Sequence, residues 1–134
     1  MVKVILGDKG SGNTKELMKV IRESLAQETG SMVCIEKGND LTYDVSHQVR
    51  LISANDYGIN SFSFLKGFVS GLHGGNFDIA SIFIDSLYKV AGSKSQEEAA
   101  EFLAWCEAFG AKNGVKFTIS VTEAAPIEAI QKYC

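Results

Sequence analysis

A chain of 134 residues that is 46% hydrophobic and 22% charged, with a single proline, has enough apolar mass for one compact core and too few disorder-promoting residues for a tail. At this length roughly two-thirds of the unfolded surface is buried on folding, so neither a disulfide nor a structural metal is required. Thirteen Lys and Arg, scattered along the chain, against sixteen Asp and Glu give a net charge of −3, which argues against non-specific nucleic-acid binding. The early apolar run Val4, Ile5, Leu6 is far shorter than a signal-peptide core or the ~20 residues of a membrane span, so no membrane partner is expected. Cys34, Cys106 and Cys134 are odd in number, widely spaced and lack a C-x-x-C pair, which argues against a disulfide framework and a zinc site. A reducing cytoplasm is the expected location.

In chain order, Val2 to Leu6 is a β-type run followed by glycines at 7, 10 and 12, then by a helical stretch with Leu17, Val20, Ile21 and Leu25 on one face and Gly30 at its end. Met32 to Ile35 is a second apolar run, closed by Glu36, Lys37 and the turn Gly38, Asn39, Asp40, and Val49 to Ile52 is a third. Phe64, Leu65, Phe68, Val69 and Leu72 have helical spacing. On another face of that helix Gly67, Gly71 and Gly75 recur every fourth residue, which suggests close approach to a neighbour. Ile79 to Ile84 is nearly continuous in apolar residues, as in a strand buried on both faces, and ends at Asp85. Ser95 to Glu98 forms a capping box that opens a helix with Ala99, Phe102, Leu103, Cys106 and Phe109 inward. Val115 to Val121 supplies a fifth strand, and Pro126 suits the first turn of a last helix. Strands alternating with helices predict a single α/β domain over residues 1–134, a three-layer sandwich on a mainly parallel five-stranded sheet.

In such folds ligands bind where strand carboxyl ends meet helix amino ends. The first such loop reads Gly7, Asp8, Lys9, Gly10, Ser11, Gly12, Asn13, Thr14. Its glycine spacing matches the phosphate-binding G-x-x-x-x-G-K-[ST] pattern, with Asn13 where the lysine belongs. Glycines let the loop turn inward so that N–H groups converge on a phosphate at the positive end of the next helix. Thr14 can ligate magnesium. The missing amine is the group that bridges the β and γ phosphates and follows charge into the transition state. Asp85, at the end of its apolar strand, supplies a second half of the constellation by holding the metal. The residue after it is Ser86, so no general base adjoins the metal position, and Asp56, Asp78 and Glu123 are candidates only by default.

Gly7 to Thr14 together with Ile82, Phe83, Ile84 and Asp85 resembles the Walker A and Walker B elements of P-loop NTPases. The chain as a whole resembles a family of short, stand-alone P-loop proteins of Gram-positive bacteria, labelled ATP-binding or, loosely, PilT-like. The resemblance runs through Val33 to Gly38, Leu41 to Asp44, Tyr57 to Ile59 and Phe83 to Ser86. It implies a P-loop NTPase-like fold that binds ATP or GTP with Mg2+ through Gly7, Lys9, Gly10, Ser11, Gly12, Asn13 and Thr14, with Thr14 and Asp85 at the metal. The family's loop ends in Gly-Lys-Thr, so Asn13 is a departure that points to weak hydrolysis or none. Lys9 resembles the additional lysine of deviant Walker A loops, which acts across a dimer. A homodimer, or a different protein partner, is carried as an expectation, and Lys9 or Lys15 is expected to replace part of the missing charge.

Lys9 to Thr14 also resembles the flavodoxin phosphate loop, which binds the FMN phosphate through N–H and hydroxyl groups without a lysine. Asn13 is native in that pattern, but Lys9 replaces the first hydroxyl residue. No flavin-stacking loop accompanies it, and the sole tryptophan, Trp105, falls on a predicted helix. A dinucleotide fingerprint is weaker, because Lys15 occupies the third glycine position although Glu36 stands where a ribose acid could. Each residue also has a role that needs no ligand. The glycines can make a tight turn, Asp85 can cap a loop, and Thr14 can start a helix. A non-catalytic interaction domain that has lost its ligand therefore stays open. His47 and His73 lack neighbours at metal spacing, Tyr57 and Tyr88 could stack on a base or pack over the sheet edge, and Cys106 reads as core.

Overall fold

The computed structural model describes residues 1–7, 13–41 and 45–134, with the side chain of residue 13 left aside. Within them, five strands form one all-parallel sheet in the order β1-β5-β4-β2-β3: β1 (Val2–Gly7), β2 (Ser31–Glu36), β3 (Val49–Ser53), β4 (Ile79–Ile84) and β5 (Lys116–Thr122). The connecting helices are α1 (Asn13–Gln27), α2 (Phe62–Gly75), α3 (Leu87–Ala91), α4 (Gln96–Asn113) and α5 (Glu128–Gln131), with a 3₁₀ turn at Ala54–Tyr57. The expected α/β class and five strands are present, and the sheet is wholly rather than mainly parallel.

Alternation along the strands builds two cores. Val4, Ile35, Ile84 and Ile119 meet α2, α3, α4 and α5 on one face, while Ile5, Cys34 and Phe83 meet Leu17, Met18 and Ile21 of α1 on the other. Both faces being covered is why the strands read as nearly continuous apolar runs. The larger core is braced by the stack Phe102, Trp105, Phe109 on α4, with ring centroids 6.0 and 4.9 Å apart. That placement makes Trp105 a packing residue at helical spacing.

Local chemistry sets the element ends. Ser61 caps α2 by accepting the Phe64 N–H at 3.0 Å. Ser95 likewise accepts the Glu98 N–H at 3.2 Å, but the Glu98 carboxylate takes the Ser93 hydroxyl, so only half of the capping box forms. α1 stops at Gln27, ahead of the predicted end at Gly30. Gly30 instead lets the chain pass β4, for a Cβ there would lie 2.7 Å from both the Ala80 Cβ and the Asp78 carbonyl. Pro126 precedes α5 rather than opening it, in a segment held by Gln96, whose side chain accepts the Ile127 N–H and donates to the Ala125 carbonyl. Gly67, Gly71 and Gly75 face open space, so the expected close neighbour is absent among the described residues.

Candidate functional site

The carboxyl ends of the strands place four polar residues in one row on the α1 side of the sheet. Ser120 pairs with Ile5 across β5 and β1, and Glu36 pairs with Ser53 across β2 and β3. Asp85 stands one residue beyond the pair Ile35 and Ile84, with its N–H donated to the Ile35 carbonyl at 2.9 Å, between Glu36 and Ser120. The row therefore reads Ser120, Asp85, Glu36, Ser53 over neighbouring strands. The segment after β2 sends Leu41 and Val45 into the core on the α1 face, whereas the chain after β4 goes to the opposite face as α3. Neighbouring strands whose connections leave to opposite faces open a crevice at their carboxyl ends, and here that crevice lies between Asp85 and Glu36.

Thr14, in the first turn of α1, donates its hydroxyl to Asp85 Oδ1 at 3.1 Å. Ser120 donates to the same oxygen, also at 3.1 Å, and its own Oγ accepts the Ser86 N–H at 2.7 Å. Ser86 adopts φ 60°, the one left-handed non-glycine residue among those described, where β4 turns into α3. A side chain in that conformation costs on the order of 1–2 kcal/mol, which the Ser120 contact helps to offset. The two halves of the sequence constellation, Thr14 and Asp85, are thus brought into contact. Gly7 ends β1, and its carbonyl accepts the Glu123 N–H at 2.8 Å. Lys9, Gly10, Ser11 and Gly12 lie outside the described residues, as do Thr42 to Asp44, and so does the side chain of Asn13.

Glu36 is 3% exposed, and its carboxylate accepts the Leu41 N–H at 3.2 Å, closing the turn that follows β2. Burial raises its pKa, the backbone N–H groups of Leu41 and Asp40 oppose the rise, and the charges of Asp40 and Asp85 add to it. It borders a cavity of about 320 Å³ that also takes in Val49, Leu51, Ser53, Asp56 and His47. Of the default acids, Asp56 and Glu123 lie at this end of the sheet. Asp78 precedes β4 at the opposite end and is removed from the site. Glu36 was singled out only as the acid of a weak dinucleotide fingerprint, and Ser120 not at all. Glu36 ends an apolar run just as Asp85 does, and Ser120 interrupts the apolar residues of β5, so the signal was available in both cases.

The remaining candidates serve packing. Tyr88 donates its hydroxyl to Glu123 at 2.9 Å, and burial, then Glu123, raises its pKa. Tyr57 packs against Phe68 with centroids 5.3 Å apart, and His73 lies edge-on to Phe77 and Phe109. Cys34 and Cys106 are in the cores, where burial pushes both thiols up and keeps them un-ionised. Among the described residues no group of three His, Cys, Asp or Glu gathers to hold a metal, and no helix is long and apolar enough to cross a membrane.

No family model and no curated protein sequence matches the chain.

Proposed function

We propose that the chain binds a purine nucleoside triphosphate, ATP or GTP, with magnesium at the loop after β1, and hydrolyses it weakly or not at all. The observation that carries this is the 3.1 Å contact between Thr14 and Asp85, which joins a hydroxyl at a helix start to a carboxylate at a strand end. Hard oxygen donors of this kind suit Mg2+, which keeps several waters and takes its other ligands from phosphates. Thr14 and Asp85 would hold the ion, which when bound supplies positive charge to the phosphate oxygens. Gly10, Ser11, Gly12, Asn13 and Thr14 would meet phosphate through N–H and hydroxyl groups, with Lys9 adding charge.

The same carboxylate weighs against FMN. A phosphate bound beside Thr14 without a metal would face Asp85 directly, and like charges at that range are unfavourable. Loss of the loop lysine at Asn13 removes one charge-assisted contact, about 1.5 to 3 kcal/mol, or about tenfold to a hundredfold in affinity. Glu36, Asp56 and Glu123 are the acids near the site, and none of them sits beside Asp85 in sequence.

The test is thermal unfolding of the purified chain with magnesium and ATP, GTP, ADP or FMN. A ligand at about a hundred times its Kd stabilises the native state by about 2.7 kcal/mol, several degrees for a domain of this size. The expected result is a shift with ATP or GTP that requires magnesium. The same shift should disappear when Lys9 and Lys15 are both replaced by alanine. A shift with FMN alone would move the assignment to a flavodoxin-like carrier, and no shift with any ligand would leave a non-catalytic interaction domain.

A further inference from the structure

Oδ1 of Asp85 accepts two hydroxyl protons, from Thr14 on α1 and from Ser120 on β5, each at 3.1 Å. A carboxylate oxygen has two lone pairs, so these two donors occupy both of them. Ser120 is fixed in that task. It is fully buried, its one proton goes to Asp85, and its oxygen accepts the Ser86 N–H at 2.7 Å. Asp85 is only half-buried, so its carboxylate reaches the crevice, and Oδ2 is the oxygen that the two hydroxyls do not use. Building on the proposal that nucleotide binds here with a metal, we infer that Ser120 sets the metal selectivity of the site. By filling Oδ1 it makes Asp85 a ligand of one oxygen, which favours Mg2+ over Ca2+.

The two ions differ in what they ask of a carboxylate. Ca2+ takes more oxygens in a looser geometry and readily accepts both oxygens of one carboxylate, whereas Mg2+ demands an octahedron, keeps several waters and is satisfied by single oxygens. Two-oxygen chelation by Asp85 would displace a hydroxyl from Oδ1. Thr14 is half-buried at a helix start and can turn toward the ion, but the Ser120 hydroxyl, fully buried in β5, would lose its acceptor. A buried donor without an acceptor is costly, and only the ion that needs the second oxygen incurs that cost. Ser120 thus acts through Asp85 and is a positioning residue rather than a ligand.

The experiment is thermal unfolding of the full chain at fixed ATP or GTP, titrated with magnesium chloride or with calcium chloride, reading the ratio of the two half-saturating concentrations. The parent is expected to respond at lower magnesium than calcium. Ser120→Ala opens Oδ1 and should narrow the ratio about tenfold, chiefly by improving the response to calcium. A general loss of stability lowers every melting curve and leaves the ratio alone. Because Ser120→Ala also strips the Ser86 N–H of its acceptor, it is paired with Ser86→Gly, which relieves the turn at φ 60°. The double variant should keep the narrowed ratio, and Ser86→Gly alone should match the parent. If Ser120→Ala alone does not fold, the double variant against Ser86→Gly carries the comparison. An unchanged ratio, a ratio restored in the double variant, or equal response of the parent to both metals would each overturn the inference while leaving nucleotide binding intact. A parent with no metal-dependent shift at all would instead overturn the nucleotide reading, and the selectivity with it.

Discussion

The hydroxyl of Thr14 donates to Oδ1 of Asp85 across 71 residues of sequence, tying the start of α1 to the end of β4 at 3.1 Å. If that contact marks a metal and phosphate site, its members have separable effects. Asp85→Asn keeps an acceptor for Thr14 and Ser120 but removes the charge. It should leave the fold intact while abolishing the magnesium dependence of any ATP-induced thermal shift. Thr14→Val should weaken nucleotide binding about tenfold, the loss of one hydrogen bond to a charged group. Calorimetric titration of both variants with and without magnesium checks this. Magnesium-dependent binding that survives in Asp85→Asn would remove Asp85 from the metal position.

Ser120 has a larger structural part than its size suggests, because it is fully buried and serves both Asp85 and the backbone of Ser86. Ser120→Ala leaves the Ser86 N–H without its partner, in a residue already held at φ 60°. The expected cost is about 1–3 kcal/mol. Ser86→Gly relieves the left-handed strain and should recover part of it in the double variant. Denaturant unfolding of the two single variants and the double variant measures the coupling. Strict additivity would mean that Ser120 does not support the turn.

Apolar runs made the parallel sheet legible, since strands buried on both faces cannot hide their composition. Thr14 and Asp85 could likewise be singled out, because each sits where a strand or helix end meets the crevice. Glu36 was read only as a candidate ribose acid, because an acid followed by Gly38, Asn39 and Asp40 looks like part of a polar turn, and only the fold buries it beside Asp85. Ser120 escaped because a lone serine in an apolar strand carries no spacing signal until β5 is placed next to β4. Helix α3 is a five-residue element, too short to establish a period.

The glycines of α2 were expected to mark a close neighbour, and the space beside them is open instead. Gly67→Ala and Gly71→Ala should therefore each stabilise the chain by about 0.5 to 1 kcal/mol, through helix propensity and a less flexible unfolded state. Gly30→Ala should do the opposite, because its Cβ would press on the Asp78 carbonyl and the Ala80 side chain. Thermal unfolding of the three variants decides it. Destabilisation by Gly71→Ala would mean that something does pack on that face.

The pH dependence of stability carries the signature of Glu36. Its folded-state pKa is raised above the unfolded carboxylate value, so the native state holds that proton more tightly than the unfolded chain. The associated stability is fully present below the unfolded value and is lost as pH rises through the folded one. Asp40 and Asp85 act on the group directly, while Asp56 and His47 share its cavity, so the slope belongs to a set of neighbours. Glu36→Gln removes the titrating group while keeping an oxygen to accept the Leu41 N–H. Its stability relative to the parent should therefore climb as pH is taken from about 4 to 7, the range above the ordinary carboxylate value. Melting curves of the two proteins across that range test the sign. A difference that stays flat, or that falls with pH, would mean that the carboxylate is ionised in the fold at no cost, with a positive charge beside it.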